Sequence, residues 1–230
     1  MLKKYMKLNR EDTWLALATP AVLWLAVLLG TQVVMGFLKN KSTLVLLYPV
    51  FALPCLALIL FFISAAYFQA MFDLNLSFGC TRRQSLGLMA GHMAIMCGAA
   101  VLSSLVCVLL DRVLNPALTG LMFGAPETVE TMLGASVSIG VDFMAISAAF
   151  LVLLPAAVIL GMIAGTLVRR FGGRAGGILY LIFLFLLLSW NHNEAWLRAN
   201  LLWLGPVLGV ALVAAFIWSV RSLLTDSIRL

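Results

Sequence analysis

Read for hydrophobic and polar positions alone, the chain is a succession of long apolar runs separated by short polar gaps. A hydrocarbon core about 30 Å thick needs roughly 20 apolar residues in a helix rising about 1.5 Å per residue. Runs of that kind recur, and six membrane-spanning helices are predicted, over 14–38, 44–71, 82–110, 143–168, 176–190 and 201–220. The fifth is the shortest; Arg174 before it and the polar "NHNE" at 191–194 after Trp190 mark its two interfaces. Without that run the count is five. The fold class is all-α, a polytopic membrane protein. Its expected organisation is an interfacial segment over 1–13, a six-helix domain over 14–220 that includes a loop at 72–84 and an outer segment at 111–142, and a tail over 221–230.

Composition agrees with the pattern. The 230 residues are 63% hydrophobic and only 10% charged, with a mean hydropathy of +1.10. A soluble globule could not cover that apolar content with so little polar surface. The net charge of +6 comes from basic residues spread through the gaps, not gathered in one patch, so it speaks for orientation and against a nucleic-acid partner. With six spans both termini share a side. Placing them inside puts Lys3, Lys4, Lys7, Arg10, Arg82, Arg83, Arg169, Arg170, Arg174, Arg221 and Arg229 in inner segments, against Lys39, Lys41, Arg112 and Arg198 outside. The positive-inside bias therefore predicts cytoplasmic termini.

The first run is too long for a cleaved signal peptide and is followed by no small-residue cleavage pattern, so a retained signal anchor is expected. Ahead of it, Leu2, Tyr5, Met6 and Leu8 alternate with lysines. That spacing fits a short helix in the membrane interface, or simply a basic leader that orients the first span. Cys55, Cys97 and Cys107 fall inside spans and Cys80 in a loop, with neither disulfide nor metal-ligand spacing; they read as small apolar filler.

The stretch "FDLNLSFGCTRRQSLGLM", Phe72 to Met89, is richer than a connection requires. Thr81, Arg82, Arg83 and Gln84 match the capping box, so the third helix should begin there. Gly79 suits the left-handed residue that ends a helix, so the preceding helix should stop at about Phe78. Asp73 and Asn75 on one arm, Arg82 and Arg83 on the other, and apolar Leu74, Leu76 and Phe78 then form a compact cytoplasmic knob. The structural alternative is that the arginines anchor the span ends while the apolar residues dip into the interface.

The segment "LSFGCTRRQSLGLMAG" resembles the cytoplasmic loop after the second span in ABC-2 type permeases, the membrane subunits of bacterial ATP-binding-cassette exporters; Leu76, Gly79, Thr81, Arg82, Arg83 and Gly87 carry the match. Six spans, inward termini and a basic amino-terminal segment are similar to the smaller members. The resemblance implies a bacterial plasma-membrane permease subunit working as a dimer or with a related permease. It also implies cytoplasmic ATPase partners that bind ATP and Mg²⁺, and a coupling element made of Asp73, Leu74, Asn75, Leu76, Phe78, Gly79, Thr81, Arg82 and Arg83, with Lys3 to Asp12 as a connecting helix. No phosphate-binding G-x-x-x-x-G-K-[ST] loop occurs, so the chain binds no nucleotide through that motif. "FGGRAGG" at 171–177 reads as an inner hairpin.

Intramembrane polar groups are the remaining candidates. His92 lies ten residues past Arg82, roughly 15 Å along a helix and so close to the bilayer midplane. With Gln32 and Gln69 it is a candidate for a substrate pathway, the alternative being a neutral histidine bonded to a neighbouring helix. The pairs Gly87 and Gly91, Gly161 and Gly165, and Gly205 and Gly209 permit close helix contact, within one subunit or across a dimer. In the outer segment, Pro126, Glu127 and Glu130 followed by Val129, Met132 and Leu133 predict a short interfacial helix.

An intramembrane enzyme would need a second carboxylate at depth or a partner for His92, and the sequence displays neither; no catalytic residue and no metal site are expected. A secondary transporter is the other alternative. The cargo favoured by the apolar span surfaces is amphipathic or hydrophobic, such as a peptide, lipid or drug.

Overall fold

The computed structural model describes residues 10–38, 43–123, 128–131, 139–172, 174, 177, 206 and 209–225. In chain order the elements are α1 (Arg10–Leu38), β1 (Thr43–Leu46), α2 (Tyr48–Ala66), a π-helical turn (Tyr67–Met71), α3 (Phe72–Ser77), α4 (Arg82–Phe123), β2 (Thr128–Thr131) and α5 (Ile139–Phe171). The last is α6 (Gly209–Thr225). Four stretches, Arg10–Phe37, Tyr48–Ser77, Arg82–Met122 and Ala145–Phe171, are long and apolar enough to cross a membrane. The chain is a multi-pass helical membrane protein. The expected fifth span, apart from Gly177, and the expected sixth up to Gly209, apart from Pro206, lie outside the described residues.

The chain divides into two compact units. One comprises Met1–Leu60 with Gly91–Ala157, the other Phe61–Ala90 with Val158–Leu230.

In the first unit α1 and α4 run parallel, as first and third spans must. Asp12 meets His92, the Ser103 hydroxyl donates to the Leu17 carbonyl at 2.8 Å, and Gln32 reaches Asn115 and Thr119, so contacts climb both helices together. Helix α2 starts with Tyr48 and Pro49; proline costs nothing in a first turn, where its missing N–H has no helical partner. The buried Tyr48 hydroxyl donates to the Pro20 carbonyl at 3.4 Å and ties α2 to α1.

Several boundaries move relative to the sequence reading. The second span starts at Tyr48, not 44, because Thr43–Leu46 form a strand paired in parallel with Thr128–Thr131, Thr43 opposite Thr128 and Leu46 opposite Thr131. The interfacial helix expected after Pro126 is thereby replaced: "TVET" is dominated by β-branched residues that favour an extended backbone. The third helix does not end at 110 but runs to Phe123, straight through Pro116. Half of the supposed outer segment is thus helix, and Ile139 to Asp142 belong to α5. Arg10–Thr13, assigned above to an interfacial segment, open α1, while residues 1–9 lie outside the described residues. At the other end α6 extends past 220 to Thr225.

In the second unit α2 and α5 touch through glycine. A Cβ on Gly161 would overlap the Phe61 carbonyl oxygen and lie 2.7 Å from the Ser64 Cβ; one on Gly165 would overlap the Ala65 carbonyl oxygen. The Ser64 hydroxyl donates to the Val158 carbonyl at 2.8 Å beside this contact. Backbones this close are the use of a small-xxx-small pair where lipid supplies no hydrophobic drive to association. Gly87 and Gly209 have open space around them instead.

Gly165→Ala is therefore expected to cost about 1–3 kcal/mol, since the opposing atoms are backbone and cannot step aside. Gly87→Ala should be neutral or stabilising by up to about 1 kcal/mol. Thermal unfolding of the two variants in detergent checks the contrast.

Candidate functional site

The corner between α3 and α4 is built from two local caps. Helix α3 closes with the Gly79 N–H on the Leu76 carbonyl (3.0 Å) and the Cys80 N–H on the Asn75 carbonyl (3.1 Å). That is the Schellman pattern, and it needs the left-handed backbone that Gly79 adopts, φ +81°. Thr81 follows as the cap of α4: the Gln84 N–H donates to Thr81 Oγ1 (3.3 Å) and the Thr81 N–H to Gln84 Oε1 (3.0 Å). The capping box and the helix stop stand where the sequence places them. One residue, Cys80, separates the glycine from the cap.

Long-range contacts then brace the corner within the second unit. Arg169, near the end of α5, grips Asp73 with both arms of its guanidinium, Nε to Oδ2 at 3.0 Å and Nη2 to Oδ1 at 2.8 Å, and covers the Phe72 ring at 4.8 Å. Arg82 donates to the Leu224 carbonyl at 3.0 Å, close to the end of α6, where carbonyls lack helical partners. Arg170 reaches the Ser222 hydroxyl at 3.4 Å and stacks on Trp218. Helix α5 stops at Gly172, whose φ of +71° and N–H bond to the Val168 carbonyl make it the helix stop at the head of "FGGRAGG".

The nine residues of the expected coupling element divide accordingly. Asp73 and Arg82 face the chain's own helices. Leu74 and Phe78 are exposed, Phe78 by 77%, and Gly79, Thr81 and Arg83 are exposed beside them. Leu76 is half-buried. Asn75 is only 8% exposed, with its side-chain N–H₂ buried and unpartnered among the described residues.

Of the three substrate-pathway candidates, His92 and Gln32 belong to the first unit and Gln69 to the second. Gln69 is exposed on the π-helical turn. His92 is fully buried, with its Nε2 3.6 Å from Asp12 Oδ2. Asp12 is in the first turn of α1, so within the first unit His92 is level with the start of that helix, while α4 begins earlier, at Arg82. The sequence displayed no partner for His92 since Asp12 is 80 positions away. Gln32 belongs to a different cluster, about 30 Å further along α1.

In that cluster Gln32 Nε2 donates to Asn115 Oδ1 at 2.9 Å and to Thr119 Oγ1 at 3.1 Å. The Thr119 hydroxyl donates to the Asn115 carbonyl at 2.9 Å, and Asn115 Nδ2 lies 3.5 Å from Asp111 Oδ1. Asp111, Asn115 and Thr119 were missed by the sequence reading, which took Asp111 as the end of the membrane run. Their spacing of four, which puts them on one helix face, was the available signal. A second carboxylate is therefore buried in a long apolar helix, contrary to expectation.

Fold and site define a multi-pass membrane protein with a braced helical corner and two polar clamps between α1 and α4. No protein-family model, curated protein or solved structure matches the chain. Among the described residues no group of three His, Cys, Asp or Glu side chains could hold a metal ion.

Two outcomes are expected. Asp73→Ala and Arg169→Ala should each cost about 1 kcal/mol, because Asp73 is 38% exposed and its pair is partly screened; together they should cost less than the sum, and more salt should shrink the difference. Gln32→Leu should cost about 1–3 kcal/mol by leaving Asn115 unsatisfied, and adding Asn115→Leu should recover part of the loss. Unfolding curves of single and double variants test both.

Proposed function

We propose that this chain is the membrane subunit of an ATP-driven exporter of the ABC-2 permease class, with six spans and cytoplasmic termini in a bacterial plasma membrane. It acts as a dimer or with a related permease, and cytoplasmic ATPase subunits that bind ATP and Mg²⁺ supply the energy. The observation that carries this reading is the corner at 72–84. Its outer residues Leu74, Phe78 and Arg83 are presented outward, while Asp73 and Arg82 tie it to α5 and α6. A push on such a tip moves three helices together instead of bending a loop. An amphipathic or hydrophobic cargo suits the apolar spans.

A secondary transporter is the second reading, favoured by the buried carboxylate of Asp111. Intramembrane catalysis is less well supported: Asp111 lies roughly 28 Å beyond His92 along α4, too far to act with it.

The full chain is to be purified in mild detergent, and co-purifying proteins identified and assayed for ATPase activity. A stoichiometric cytoplasmic ATPase is expected, and Phe78→Glu with Arg83→Glu should abolish its association while helical content is retained. Association that survives the double substitution removes the docking role; an intact, monodisperse protein that reproducibly brings down no ATPase overturns the reading.

A further inference from the structure

Asp111 stands apart among the described carboxylates. It is 1% exposed, and its Oδ2 is buried without a hydrogen-bond partner among the described residues. No described cation lies within ion-pair distance of it, whereas Asp73 has Arg169 and Asp12 lies 3.6 Å from the His92 ring nitrogen. The groups that face it are Trp24 from α1, Tyr48 from α2, and Cys107 and Asn115 from its own helix. Arg112, next in sequence, leaves α4 about 100° further round.

An ionised carboxylate buried without a counter-charge is so costly that the site must take up a cation. A metal ion fits poorly. Ions such as Ca²⁺ and Mg²⁺ collect about six or more oxygens at once, and here the Asn115 and Thr119 side-chain oxygens already accept from the Gln32 amide. Asp111 Oδ2 is left as an open acceptor among the described residues, and one oxygen is all that a proton needs.

We propose that Asp111 is a reversible proton-binding site within the α1–α4 interface. With the proton on Oδ2 the group is a neutral acid, and the buried Trp24 Nε1–H beside it has no acceptor among the described residues. When the proton leaves, Oδ2 becomes a charged acceptor for that N–H. The two states thus differ by one hydrogen bond between α1 and α4, next to the Gln32 clamp. The site is independent of whether an ATPase docks at the corner.

Infrared difference spectroscopy on the full-length protein in detergent reads the carboxyl directly, and only nine acidic residues compete for assignment. The wild type is expected to show the C=O stretch of a protonated carboxylic acid at mildly acidic pH, shifted in D₂O and lost as the pH is raised. Asp111→Asn should lose that band and Asp12→Asn should keep it. If Asp111→Asn does not fold, Asp111→Glu replaces it: a displaced band supports the site and an unmoved one overturns it. Absence of the band from the wild type at mildly acidic pH, its survival in Asp111→Asn, or its loss on adding NaCl at constant pH, which would make a metal cation the occupant, each overturns the proposal.

Discussion

A helix in hydrocarbon has no hydrophobic reason to associate with another, because lipid tails are as apolar as its own leucines. What joins the helices of this protein must therefore be close backbone packing or polar contact, and each described unit displays its own mixture. Gly161 and Gly165 bring α5 onto the carbonyls of Phe61 and Ala65. Asp12 with His92, and Gln32 with Asn115 and Thr119, fasten α1 to α4 at two levels about 30 Å apart. Lone hydroxyls meet the same constraint differently: Thr31, Ser104 and Thr166 each donate to the carbonyl four residues earlier and expose nothing to lipid.

The same scarcity of partners gives the corner between α3 and α4 its character. Two helix ends meet across four residues, and every cap is met locally, by Gly79 for the first and by Thr81 with Gln84 for the second. Because the caps are self-sufficient, the charged side chains are free for other tasks. Asp73 and Arg82 brace the corner against Arg169 and the end of α6, and Leu74, Phe78 and Arg83 are turned outward. A rigid arm with an apolar and basic tip follows from that division of labour.

The corner was legible in the sequence and the clamps were not. Gly79, Thr81 and Gln84 act within six residues of one another, so their geometry follows from local backbone preferences. Asp12 and His92 are 80 positions apart, and nothing in either neighbourhood names the other. Asp111 and Asn115 read as the end of an apolar run because polar residues usually mark an interface; in the structure one helix face buries them against α1, and α4 continues to Phe123. The strand at Thr128–Thr131 escaped for a similar reason. Pro126 with Glu127 resembles a helix start, and only pairing with Thr43–Leu46 reveals the use of its β-branched residues.

Membrane residence, the all-helical character of the long elements and the tight turn after α3 follow from composition, apolar run length and capping residues, all of which act on a chain before it has any tertiary neighbours. Which polar residues are paired, which face outward and which carboxylate has no counter-charge among the described residues were decided only by the packing of distant segments. In lipid, a polar group's energy depends almost wholly on the partner it finds. That partner is set by which helices lie side by side and in what register, and hydropathy along the chain contains neither.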